Sequence, residues 1–128
     1  MAGTTQTRTA GPFQRVLESS PLDPRSLRKW LGVTQAELGA VVDRDRRSVA
    51  RWEAADGSEA RGRAARDLRK VARVRFLLDD LTDQDTARSW IHSPNREFGG
   101  ESPLDLLMTG RIDTVIAALE MLADGGPY

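Results

Sequence analysis

Thr34–Trp52 reads T-Q-A-E-L-G-A-V-V-D-R-D-R-R-S-V-A-R-W, and this stretch decides the fold. Thr34 and Glu37 stand three residues apart, the spacing at which a threonine caps a helix and the glutamate reaches back to it. Leu38, Val41 and Val42 then recur at helical spacing, and the pattern breaks at Asp43. A second helix starts at Asp45 or Arg46 and carries Val49 and Trp52 as its apolar pair, ending before Gly57. Two short helices joined by so tight a turn pack at a steep angle and project the second helix outward. That is the geometry of a helix-turn-helix, with Leu38 and Val42 meeting Val49 and Trp52 in a shared core. Asp43 stands where many such turns use glycine, and aspartate tolerates a left-handed backbone better than most residues.

Between those anchors the outward positions are Arg44, Arg46, Arg47, Ser48 and Arg51. Arginine can pair bidentately with guanine in the major groove, so these five are candidate DNA-reading residues. Gln35, opening the first helix, is the candidate for a phosphate contact. The same charges could simply solvate a helix face, with Asp43 and Asp45 neutralising part of the patch. The run Arg61, Arg63, Arg66, Arg69, Lys70 and Arg73 further on could follow a phosphate backbone or be a solvated face.

Outward from this motif, every ordered stretch reads as helix and none as strand, so the expected fold class is all-α. Upstream, residues 1–11 are expected to be disordered, and 12–19 could form a helical turn or two on Phe13, Val16 and Leu17. Leu27, Trp30 and Leu31 form a stripe closed by Gly32. Downstream, Ser58 is expected to cap a long helix to about Leu81, with Leu68, Val71, Val74 or Arg75, Leu78 and Leu81 on its buried side. Thr82 with Asp85 repeats the capping-box pattern and opens a helix through Trp90 and Ile91. A loop from Ser93 to Glu101 follows, and Ser102-Pro103 starts a helix that stops at Gly110. Ile112, Val115, Ile116, Leu119 and Leu122 mark a last amphipathic helix.

The chain has 128 residues, no cysteine and a formal net charge of zero. Absence of cysteine excludes disulfides, thiolate metal sites and thiol catalysis. His92 is the sole histidine, so multi-histidine metal sites are excluded too, no cofactor is expected, and nothing supports an enzyme. No apolar run approaches the ~18 residues of a membrane span. The N-terminus lacks the apolar core of a secretory signal, so a cytoplasmic protein is expected. The neutral total conceals an asymmetry: residues 1–75 hold 16 Lys and Arg against 9 Asp and Glu, and residues 76–128 hold 3 against 10. The basic part suits a polyanion such as operator DNA. In the acidic part, Asp79, Asp80, Asp83, Asp85, Glu97, Glu101, Asp105 and Asp113 could complement a basic cleft on a protein partner.

From Ala87 onward the chain resembles the toxin-binding domain of the Xre/MbcA/ParS family of antitoxins. The matching features are Trp90, Ser93-Pro94-Asn95, the glycine-bearing loop, Ser102-Pro103-Leu104-Asp105-Leu106, Thr109-Gly110, and a final helix ending Ala123-Asp124-Gly125. Arg47 to Trp52 also resembles that family's helix-turn-helix, so the likeness spans about residues 25–126. It implies a head domain over 12–75 and a toxin-binding domain over 76–128. It further implies an antitoxin that neutralises a RES-domain toxin, an enzyme similar to ADP-ribosyl-transfer enzymes, and that represses its own operon; a homodimer is expected because operators read by this motif usually present two half-sites. NAD would belong to the toxin. The toxin-facing set expected on this basis is Asn95, Arg96, Phe98, Gly99, Gly100, Arg111 and Tyr128, with Asn95 also suited to bonding its own loop. Family members often end in a small apolar tail, where this chain has Gly126-Pro127-Tyr128, leaving Tyr128 as the side chain able to enter a pocket. The alternative is a stand-alone repressor whose C-terminal half only dimerises, and a third reading is an interaction adaptor.

Overall fold

The computed structural model describes residues 23–54 and 58–125, all of whose regular elements are helical. The expectations for residues 1–11, 12–19, Gly57 and Tyr128 fall outside the described residues. Helix α1, Pro24–Leu31, starts under the Asp23 carboxylate, which accepts from the Arg25 amide, and closes on left-handed Gly32. Helix α2, Gln35–Val42, carries the capping box in full. The Glu37 amide donates to Thr34 Oγ1 at 3.1 Å, and the Thr34 amide donates to Glu37 Oε1 at 2.8 Å. Asp43 ends it in the left-handed region with φ 58°, the only such non-glycine among the described residues. Helix α3, Arg46–Glu53, starts under Asp45, whose Oδ1 accepts from the Ser48 amide at 2.9 Å. These elements form the expected helix-turn-helix.

Gly39, inside α2, sets how close the turn can approach. A Cβ there would lie 2.5 Å from the Arg44 carbonyl oxygen, which is backbone and cannot swing away. The α2–α3 turn therefore folds directly over a position without a side chain.

Helix α4 spans Gly62–Leu81 and begins later than Ser58 suggests. Residues 58–61 run non-helical and bury Ala60, and Gly62 has φ 57°, a conformation that an ordinary L-residue enters only at a cost. Arg61 occupies the N-cap position without a side-chain bond. Leu81, expected on the buried stripe, is 38% exposed, because the helix outruns the core at its last turn. Helix α5, Gln84–His92, is capped by Asp83 and not by Thr82. Thr82 instead ends α4, and the Asp83 carboxylate, one residue further on, accepts from the Thr86 amide at 2.7 Å. A 3-10 turn at Arg96–Phe98 leads to α6, Pro103–Met108, where Ser102 and Asp105 form a second capping box. Helix α7, Ile112–Ala123, closes the described fold.

One hydrophobic core runs through both charge halves. Leu27, Leu31, Leu38, Val42 and Val49 belong to the same cluster as Leu68, Val71 and Val74 of α4 and as Ile91, Leu107, Val115 and Leu119. Helix α4 is the spine, packing on α1 and α2 and most extensively on α7, while α6 touches α2. The opposite charges of the two halves meet inside this arrangement. Lys70 Nζ lies 3.1 Å from an Asp113 oxygen, and Arg73 Nη2 lies 2.9 Å from Glu120 Oε2, both joining α4 to α7. Partly exposed pairs of this kind add little to stability, but they account for part of the charge asymmetry within the molecule. Among the described residues no helix is long and apolar enough to cross a membrane.

Candidate functional site

The first candidate surface is the outer face of α3. Arg44, Arg46, Arg47 and Arg51 are exposed and Ser48 is half-buried, while Val49 points into the core and Trp52 packs against it. Arg44 and Arg46 have no carboxylate or hydrogen-bond partner among the described residues, and Arg47, whose charge acts on the nearby Asp45 carboxylate, makes no hydrogen bond there, so their guanidinium donors remain available. Arg51 reaches the Ser48 hydroxyl at 3.4 Å. The Ser48 amide and hydroxyl hold the Asp45 carboxyl below the usual carboxylate range, so this acid stays ionised at the start of the helix.

Gln35 is placed differently from the other candidates. It is half-buried, and its side-chain amide nitrogen donates to Glu53 Oε1 at 3.1 Å, so it is engaged within the fold. Glu53 is a positioning residue that the sequence pattern does not disclose. Its side chain is 2% exposed and accepts a bidentate pair from Arg28, 2.7 Å from Nε and 2.8 Å from Nη2. Arg28 holds the Glu53 carboxyl below the ordinary glutamate range, with Gln35 adding to the effect. This network ties the last residue of α3 to α1 and α2 and so fixes how the arginine face is presented.

The second candidate surface is the loop between α5 and α6. Asn95 organises it: its Oδ1 accepts from the Glu97 amide at 2.8 Å, its carbonyl accepts from the Phe98 and Gly100 amides, and its own amide donates to the Glu101 carbonyl. Asn95 thus serves its own loop. Phe98 is half-buried, edge-on to Trp90 with ring centroids 6.1 Å apart, and so anchors the loop to the core while keeping part of its ring outside. Gly99 and Gly100, both exposed with positive φ, turn the chain back. Arg96 is exposed and has no partner among the described residues.

Arg111 is brought to the same place, but its guanidinium is already bound. It makes a bidentate pair with Glu101 at 2.9 and 2.7 Å and also donates to Thr109 Oγ1. That pair holds the Glu101 carboxyl below its usual range. The structure therefore gathers Asn95, Arg96, Phe98, Gly99, Gly100 and Arg111 around one loop, with Arg96 and the outer edge of Phe98 as its free chemistry. Several acids expected to face a partner also have partners within the fold: Asp83 and Asp105 cap helices, Glu101 binds Arg111, and Asp113 binds Lys70. Asp80, Asp85 and Glu97 remain exposed without a salt bridge among the described residues. Among those residues no group of His, Asp and Glu could hold a metal ion.

Comparison with known proteins places these two surfaces in context. Residues 74–125 match a family model described as the antitoxin Xre/MbcA/ParS C-terminal toxin-binding domain. The mycobacterial cidal antitoxin MbcA of Mycobacterium tuberculosis (strain ATCC 25618 / H37Rv) is 37% identical over 95 residues, covering 74% of this chain and 83% of the relative. The probable mycobacterial cidal antitoxin Rv3188 of the same organism is 35% identical over 97 residues, covering 76% and 82%. A chain in the crystal structure of the M. tuberculosis MbcT–MbcA toxin–antitoxin complex superposes with a TM-score of 0.63 at 33% identity, covering 83% of this chain and 95% of that one.

Proposed function

The chain belongs to the Xre/MbcA/ParS family of antitoxins, and from that premise we propose that it binds and silences a RES-domain toxin while repressing its own operon through α3. Its kinship is with antitoxins and not with enzymes. The chemistry of the pair, NAD consumption or ADP-ribosyl transfer, resides in the toxin, and NAD is the toxin's ligand. The observation that carries this reading is that the matched region, 74–125, contains the loop on which the toxin-facing residues converge. Arg96 and Phe98 supply a free guanidinium and a partly exposed ring, residue types enriched in the anchors of protein interfaces.

On this reading the division of labour at residues 75 and 76 is one of surface, because the interior is shared. Arg44, Arg46, Arg47, Ser48 and Arg51 face DNA, with the arginines suited to guanine edges and phosphates. A homodimer in the cytoplasm fits an operator of two half-sites.

The test is co-expression of the full chain with the toxin encoded beside it, followed by an NAD-consumption assay. A stable complex in which NAD loss is suppressed is the expected result. A neighbour that does not associate, or that consumes NAD equally in the presence of this chain, contradicts the reading.

A further inference from the structure

Away from the outer face of α3, an open trough of about 480 Å3 lies where α1, α4 and α5 meet. Arg25 and Lys29 of α1, Arg75 of α4 and Arg88 of α5 line it, and Asp23 is the one carboxylate among its lining residues. Two of these charges are left uncompensated. Lys29 is exposed and its ammonium has no partner among the described residues. Arg88 spends its donors on neutral groups, the Lys29 carbonyl at 2.9 Å and the Trp30 carbonyl at 3.4 Å, so its charge faces no acid. Arg75 is held in place by the Ser26 hydroxyl at 3.3 Å, by Asp79 at 3.7 Å and by the Trp30 ring 5.8 Å below it.

The position of the trough says what it suits. Arg25 lines it and also donates to the backbone carbonyl of Glu53, the last residue of α3, so the cationic lining adjoins the end of the arginine helix. A wide, shallow, positively charged channel continuous with a base-reading helix fits an extended polyanion, which would release counterions as it is neutralised. We propose that this trough holds the sugar-phosphate backbone flanking the base pairs read by α3, with Lys29 and Arg88 as its phosphate contacts. Arg88 lies in the acidic half, so the DNA-binding surface crosses onto the region matched to toxin binding. The inference rests on the DNA-binding reading given above.

The test uses the full chain, a mixed-sequence DNA duplex and a salt series. Lys29→Ala is expected to weaken binding and to lower the slope of log affinity against log salt by about one, the loss of one phosphate contact. Gln84→Lys places a cation at an exposed lining position and is expected to raise the same slope by about one. Slopes equal to wild type in both variants overturn the trough assignment while the DNA reading stands. A wild-type chain that does not bind the duplex overturns both. Weaker toxin association in Lys29→Ala at an unchanged DNA slope also overturns it and assigns the trough to the protein partner.

Discussion

Replacing Arg28 by Leu is expected to destabilise the protein by about 3 kcal/mol, the scale for removing one partner of a buried ion pair. The Glu53 side chain is 2% exposed, and Arg28 supplies its bidentate pair; without it the carboxylate keeps the Gln35 amide and an Arg25 guanidinium 3.7 Å away. A buried anion that loses its main donor carries a desolvation cost that a leucine cannot offset. Replacing both partners, Arg28→Leu with Glu53→Leu, should cost less than the sum of the single changes, because no orphaned charge remains. Urea unfolding of the four proteins measures this, and a loss below about 1 kcal/mol for Arg28→Leu would mean that water reaches Glu53. The pH dependence has a defined sign. Glu53 titrates below its ordinary range, so its contribution is complete above the unfolded-state value and fades as pH falls through the depressed one. Glu53→Gln should flatten the acid limb of the stability profile.

Gly39→Ala is expected to destabilise by about 2 kcal/mol, against the usual direction for a glycine-to-alanine change inside a helix. Ordinarily alanine gains from reduced freedom of the unfolded chain and better helix propensity. Here its methyl would sit 2.5 Å from the Arg44 carbonyl, so α2 and the turn must separate. Displacing that turn also re-aims Arg44, Arg46 and Arg47, so DNA affinity should fall along with stability. Thermal unfolding and a duplex-binding assay on the same preparation check both effects. A stabilised Gly39→Ala protein would show that the turn opens freely.

The parts of the fold that were legible in the sequence are those written locally. Thr34 with Glu37, and Ser102 with Pro103, announce helix starts because cap and partner lie within one turn. Local signals also misled where two candidates adjoin: Thr82 and Asp83 are both good caps, and the aspartate holds the position. Ser58 offers a cap, but the burial of Ala60 and the backbone of Gly62 delay the helix. Glu53 could not be singled out by spacing, since its partners Arg28 and Gln35 lie 25 and 18 residues away. The charge asymmetry suggested two external partners, yet Lys70 with Asp113 and Arg73 with Glu120 satisfy part of it in partly exposed pairs between α4 and α7. Arg111 looked free for the same reason, because its pairing with Glu101 depends on how the loop folds back over α6.

If one folded body carries two separable surfaces, as proposed, the double variant Arg47→Ala with Arg51→Ala should disable one and spare the other. The double variant and the wild type are each measured for duplex affinity and for suppression of the toxin's NAD consumption. Each lost arginine–guanine pair is worth about 1–3 kcal/mol, so operator affinity should fall at least about tenfold with toxin suppression unchanged. Operator affinity equal to wild type, or loss of suppression together with DNA binding in a protein that remains folded, would contradict it.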